Sequence, residues 1–156
     1  MKNELSYSIR PFKVDDQEEV IALWKLCRLT RPWNNPAKDI ERKLDIQSDM
    51  FLVMEVDKHI IGSVMAAYDG HRGVINYLAV HPLYQKKGYG KIIMSYVEQK
   101  LLEKGCPKIN LLARADNLTI KEFYKKESEV SLPSNCDKCI SKNIETPKSC
   151  EVMGYL

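Results

Sequence analysis

The feature that most constrains this chain is one continuous passage. The apolar run Val74-Ile75-Asn76-Tyr77-Leu78-Ala79-Val80 is followed by the loop Gln85-Lys86-Lys87-Gly88-Tyr89-Gly90-Lys91 and then by a helical pattern that reaches Lys104. Ile92, Ile93, Tyr96, Val97, Leu101 and Leu102 recur at three- and four-residue spacing, which predicts a helix with one buried face. Gly105-Cys106-Pro107 stops that helix, and Lys108 to Ala113 reads as the next strand. A strand–helix–strand unit of this kind places its two strands parallel with a right-handed crossover. The passage also places two glycines and three lysines at a helix N-terminus. Backbone N–H groups and the helix dipole there attract anions, a pyrophosphate especially.

The rest of the chain organises around this unit. Ser6 to Pro11 reads as a first strand. Asp15 or Asp16 can cap a helix whose apolar positions are Val20, Leu23, Trp24 and Cys27. After the turn-rich Arg31-Pro32-Trp33-Asn34-Asn35, a second helix starts at Pro36 behind an Asn cap and runs to about Asp45 or Gln47. Phe51 to Val56 and Ile60 to Tyr68 form a hairpin around Asp57-Lys58-His59, and Asp69 to Gly73 is a further turn. Asn117 can cap a short helix carrying Ile120, Phe123 and Tyr124. The predicted order β-α-α-β-β-β-α-β-α describes an α+β fold (α/β mixed) with a mixed, mostly antiparallel sheet.

Length and composition exclude several classes. With 156 residues, 44% hydrophobic and 29% charged, the chain is sized for one globular domain. A net charge of +3, concentrated around the loop, suits a small polyanion better than a nucleic-acid duplex. No apolar run approaches the roughly 20 residues of a membrane span, and the first residues lack the apolar core of a signal peptide. Five cysteines, an odd number without an export signal, point to reduced thiols and a cytoplasmic location. Cys136-Asp137-Lys138-Cys139 has Cys-x-x-Cys spacing, but only Cys150 lies near as a further ligand, so the reading is free thiols in a loose loop and no metal.

The loop is neither a Walker loop nor the Gly-x-Gly-x-x-Gly dinucleotide fingerprint. Val80-His81-Pro82 followed by Tyr84-Gln85-Lys86-Lys87-Gly88-Tyr89-Gly90 resembles instead the acetyl-CoA loop of the GNAT N-acetyltransferases. Asn117-Leu118-Thr119-Ile120-Lys121-Glu122-Phe123-Tyr124 resembles the late helix of that family, and Ser8 to Pro11 its first strand. The resemblance covers about residues 6–126. Arg31 to Asn34, Phe51 to Val53 and Tyr68 to Gly73 look closer still to the bacterial YpeA-type branch. It implies a three-layer fold with helices on both faces of the sheet and two central strands that splay apart.

The resemblance also implies roles. The backbone from Gln85 through Lys86, Lys87, Gly88, Tyr89, Gly90 and Lys91 would bind the pyrophosphate of acetyl-CoA, with Asn117 as a further contact. Leu78, Ala79 and Val80 would present backbone groups to the pantetheine arm and the acetyl carbonyl. Tyr124 would protonate the departing thiolate, a contribution typically worth ~10²–10⁴ in rate. The strand before the loop has no carboxylate, so a water held by Asn76, or by backbone carbonyls, would relay the proton, with Asp69, His71 and Glu55 as weaker candidates. Arg31, Trp33 and Asn34, with Arg42, would select the acceptor, an amine of a small molecule, amino acid or peptide. Trp33 reads equally as a structural plug, and His71 as a solvated turn residue.

The tail departs from the pattern. Lys125 to Val130 lacks the Gly-(Phe/Tyr) expected a few residues after Tyr124, and Ser131 to Ser149 is polar. Val130 to Leu132 is too short for a strand, while Glu151 to Leu156 could form one. Three readings follow: an acetyl-CoA-dependent N-acetyltransferase, a CoA-binding module with weak or no turnover, and a protein binding another anion such as an RNA phosphate. The first is preferred, as a single domain acting on an amine without nucleic-acid or membrane partners, its state as monomer or homodimer open.

Overall fold

The computed structural model describes residues 6–112 and 139–143. Strands β1 (Tyr7–Pro11), β2 (Phe51–Val56), β3 (His59–Tyr68), β4 (Gly73–Val80), β5 (Lys108–Leu112) and β6 (Cys139–Asn143) form one sheet in that order. Pairs β1–β2 and β2–β3 are antiparallel, β4–β5 is parallel and β5–β6 is antiparallel. The helices are α1 (Gln17–Leu26), α2 (Pro36–Leu44) and α3 (Tyr89–Glu103). The mixed α+β architecture agrees with the sequence reading, including the parallel unit β4–α3–β5.

By compactness the chain divides into two units, Met1–Met65 with Tyr77–Val97, and Ala66–Asn76 with Glu98–Leu156. In the first, β2 reads Phe-Leu-Val-Met-Glu-Val with almost no polar position, because both of its faces are covered. Phe51 and Val53 join Phe12, Val20, Leu23, Trp24, Ile40, Ile60, Met65 and Ala79 in the cluster beneath α1 and α2. Gly62 faces the other way: a Cβ there would approach Ile93 Cδ1 of α3 to 2.6 Å, so a larger residue would force that side-chain tip to shift. The sheet of this unit is therefore a middle layer between α1/α2 and α3.

Local chemistry explains the element ends. Asn35 caps α2 by accepting from Lys38 N at 3.2 Å, with Pro36 in the first helical position. The helix ends at Leu44, short of Gln47, whose backbone is left-handed at φ 51°. Asp16 precedes α1, but its carboxylate takes Arg10 and the Lys13 N–H and makes no helix cap. Asp57 and Lys58 both have positive φ, the geometry that joins a two-residue hairpin, so His59 already belongs to β3.

In the second unit, Ile109 and Cys106 are buried, and Gly73 packs beside Cys106, Leu101 and Ile109. Gly105 (φ 85°) ends α3 with Gly105 N donating to Leu102 O and Cys106 N to Leu101 O, the paired bonds of a left-handed helix terminus. Strand β6 corrects the sequence reading. Cys139–Asn143 lies in the polar stretch read as a loose loop, yet it pairs with all five residues of β5. The open backbone edge of β5 supplies that pairing, and a strand made through its backbone needs no apolar alternation. The expected helix at residues 117–124, Cys136, Cys150 and the proposed strand at 151–156 lie outside the described residues.

Candidate active site

The loop after β4 is built from successive local bonds. His81 N donates to Ile61 O at 2.7 Å, which fixes the end of β4 against β3. Pro82–Tyr84 forms a single 3-10 turn, and His81 Nδ1 accepts from Leu83 N at 3.2 Å. The chain then reverses through two left-handed residues, Lys86 (φ 60°) and Gly88 (φ 90°). Ile92 N donates to Gly88 O at 3.1 Å, which makes Gly88 the residue from which α3 starts. The next N–H groups are those of the first turn of α3, the helix end at which anions are favoured. Around Gly88 a Cβ would meet nothing within 4 Å, so its glycine is required by backbone conformation and not by crowding.

Aromatic rings brace this loop. Tyr84 lies edge-on to Tyr89 at 5.8 Å and to His81 at 5.9 Å, and Tyr89 meets Tyr7 of β1 at 6.4 Å. Lys87 Nζ stands 5.8 Å from the Tyr84 ring, while Lys86 and Lys87 are exposed. Gln85 is exposed and folds back along the loop, where its Nε2 donates to Val80 O at 2.9 Å. The same carbonyl accepts from the Cys27 thiol at 3.2 Å. Burial pushes that thiol above its ordinary pKa. Leu78 and Val80 are half-buried and Ala79 is buried. Thus the structure gathers Leu78 to Lys91 into one continuous strand end, turn and helix start. Asn117 and Tyr124 lie outside the described residues.

The acceptor-side candidates are less uniform. Trp33 is 73% exposed, which removes the structural-plug reading. Arg31 O accepts from Asn34 N at 3.0 Å, and Arg31 is half-buried. Asn76 is exposed on β4. Of the weaker base candidates, Glu55 accepts from Arg10 Nε at 2.9 Å, within an Arg10–Asp16–Glu55 network. Asp69 accepts from His71 N and Arg72 N of its own turn.

Tyr77 is the residue sequence reading missed. Its backbone is left-handed (φ 49°) in the middle of β4. Its ring stacks on Trp24 at a centroid distance of 4.0 Å, and its hydroxyl donates to Asp39 Oδ2 at 2.6 Å. Burial, then the bond to Asp39 and its charge, push the hydroxyl up to about 12, with Asn34 pulling the other way. Nothing in an apolar run announces such a residue, because tyrosine is not a usual left-handed residue.

Comparison with known proteins agrees with this geometry. The model of the acetyltransferase (GNAT) family matches residues 18–128. An acetyltransferase of Sodalis glossinidius (strain morsitans) is 52% identical over 118 residues, spanning 76% of this chain and 83% of its own length. An acetyltransferase of Pectobacterium atrosepticum is likewise 52% identical over 118 residues, spanning 76% of this chain and 84% of its own. Among solved structures, a GNAT-family acetyltransferase of Staphylococcus aureus Mu50 superposes with a TM-score of 0.73 at 14% identity, covering 89% of this chain and 99% of that one. The PaiA N-acetyltransferase of Thermoplasma acidophilum, in complex with coenzyme A, gives a TM-score of 0.67 at 19% identity, covering 88% of this chain and 99% of that one.

Proposed function

The chain belongs to the GNAT acetyltransferase family, and from that premise we propose that it is an N-acetyltransferase that uses acetyl-CoA and acts, as a single domain, on a primary amine. The observation that carries this reading is the start of α3. Lys86 and Gly88 turn the chain so that the first N–H groups of a 15-residue helix follow an exposed, lysine-bearing loop. A pyrophosphate fits such a site by its charge and its acceptor oxygens. Bound coenzyme A in a solved relative of the same fold supports the choice of ligand.

When bound, acetyl-CoA supplies an acetyl group activated as a thioester. Backbone groups of Leu78 and Val80 orient that group, as an added strand would be held. Val80 O already serves Gln85 and Cys27, so a ligand N–H that takes this carbonyl exchanges with one of them. The acceptor nitrogen attacks the thioester carbonyl directly, forming the amide bond as the carbon–sulfur bond breaks; a water held by Asn76 takes the proton from the amine, and Tyr124 gives one to the departing thiolate. The acceptor is gripped by Arg31, Trp33 and Asn34.

The test is free-CoA release with a panel of amines and peptides, alongside acetyl-CoA calorimetry. Wild type binds acetyl-CoA and releases CoA with at least one amine, while Tyr124→Phe lowers release by about 10²-fold or more with little change in acetyl-CoA affinity. Binding without release from any amine identifies a CoA-binding module instead. Absence of binding removes both readings.

A further inference from the structure

The structure brings a carboxylate against β4 from α2. Asp39 stands in the first turn of α2. Its two oxygens have different partners. Oδ2 accepts from the Tyr77 hydroxyl at 2.6 Å, and Oδ1 accepts from Arg42 Nη1 at 3.0 Å.

The first partner is fixed. The Tyr77 ring lies on Trp24, which is fully buried and donates its indole N–H to Ser63 Oγ at 2.8 Å. With its pKa pushed up to about 12, the Tyr77 hydroxyl stays protonated at neutral pH and keeps donating. The left-handed backbone of Tyr77 is costly for a non-glycine residue, and such costs concentrate at functional positions. The second partner is loose. Arg42 is 70% exposed, and an exposed pair three residues apart on a helix is weak and screened. Asp39 itself remains about a quarter exposed, at 26%.

Three other carboxylates of this unit are committed to partners of their own. Asp16 and Glu55 hold Arg10, and Glu19 accepts from the backbone N–H of Ile60 at 2.7 Å. Asp39 therefore offers one oxygen pinned by a neutral donor and one held by an exchangeable cation. An ammonium group can replace the guanidinium with no change in net charge, because both cations make charge-assisted hydrogen bonds to a carboxylate. Asp39 also lies across its hydrogen bond from Tyr77, the residue just before Leu78-Ala79-Val80.

We infer that Asp39 is the specificity-determining residue of the acceptor site and binds the ammonium group of a primary alkylamine in place of Arg42, with Tyr77 positioning its carboxylate. The inference deepens the acetyltransferase reading and rests on it for its meaning, but the binding it describes requires neither acetyl-CoA nor turnover.

The test is a titration of the full chain with butylammonium chloride and, separately, with 1-butanol as its uncharged counterpart. It is followed through amide resonances in wild type, Asp39→Asn, Tyr77→Phe and Arg42→Ala. Butylammonium moves the resonances of Asp39, Ile40 and Tyr77 in wild type. Its affinity falls about tenfold in Asp39→Asn, falls less in Tyr77→Phe, and rises several-fold in Arg42→Ala, where the competing cation is gone. The weak response to 1-butanol is the same in all four proteins. Equal butylammonium affinity in wild type and Asp39→Asn, or an unchanged affinity in Arg42→Ala, overturns the inference. Arg42 is exposed, so that variant tests the idea even if a change at Tyr77 disturbs folding. Acetyl-CoA calorimetry on the same samples separates the two levels. Asp39-dependent amine binding without acetyl-CoA binding upholds the site and overturns the acetyltransferase reading, and acetyl-CoA binding with Asp39-independent amine binding overturns the inference alone.

Discussion

The loop from Val80 to Lys91 and the node around Tyr77 adjoin in sequence but are made in different ways. The turns of the loop are assembled mainly from bonds between near neighbours, His81 to Leu83, Gln85 to Val80 and Ile92 to Gly88, with Ile61, Cys27 and Tyr7 as its ties to distant parts of the chain. Its function depends on backbone N–H groups, which every residue but proline has. The node joins Trp24, Asp39, Ser63 and Tyr77, residues that meet only after four elements have packed. Its function depends on side-chain atoms. In the proposed site, anion binding would thus be a property mainly of local sequence, whereas the acceptor side would be a property of packing.

That contrast can be broken or sharpened by substitution. The largest effect belongs to Trp24→Ala. It removes a fully buried ring, the stack under Tyr77 and the partner of Ser63, so denaturant titration records a loss of about 3–5 kcal/mol. The folded fraction keeps wild-type acetyl-CoA affinity if loop and node are separable, and a comparable loss of affinity breaks the distinction. Gly88→Ala is next. No atom obstructs a methyl group there, but φ 90° strains any residue with a Cβ, at about 1–2 kcal/mol. Calorimetry shows weaker acetyl-CoA binding, while butylammonium binding is unchanged.

The smallest effect is a pH dependence in the Arg10 network, a second node made by packing. The Arg10 hydrogen bond holds the Asp16 carboxyl below the usual carboxylate range, against the opposing effect of burial. A carboxylate depressed in the folded state stabilises it above the unfolded pKa, near roughly 4, and that contribution is lost as pH falls through the lower folded value. Urea midpoints of wild type and Asp16→Asn therefore differ at neutral pH and converge under acid conditions. A constant gap between them across that window contradicts this account.

Much of the architecture was legible in advance. Periodicity marked α1, α3 and the strands from Phe51 to Val80. Asn35-Pro36 located the start of α2, and Gly105 located the end of α3. These signals are local, set by capping groups and by backbone angles that few residues tolerate. The errors have the opposite character. Asp16 looked like a helix cap and became the partner of Arg10. Trp33 could have been a plug and stands in solvent. Residues 139–143 carry no strand pattern and form β6 because β5 offers an edge. Strand β4 was read correctly as a strand, but nothing in its pattern signals that Tyr77 meets Asp39, 38 residues away in the chain.

The sequence alone determined the donor-side geometry. Glycine at position 88, the turn before it and the helix after it follow from rules acting over a few residues, and a pyrophosphate site needs little more. Only the tertiary structure decided what Tyr77 and Asp39 do. A left-handed tyrosine inside a strand persists because Trp24 stacks on its ring and Asp39 accepts from its hydroxyl. Neither partner is within reach until α1 and α2 have packed on the sheet.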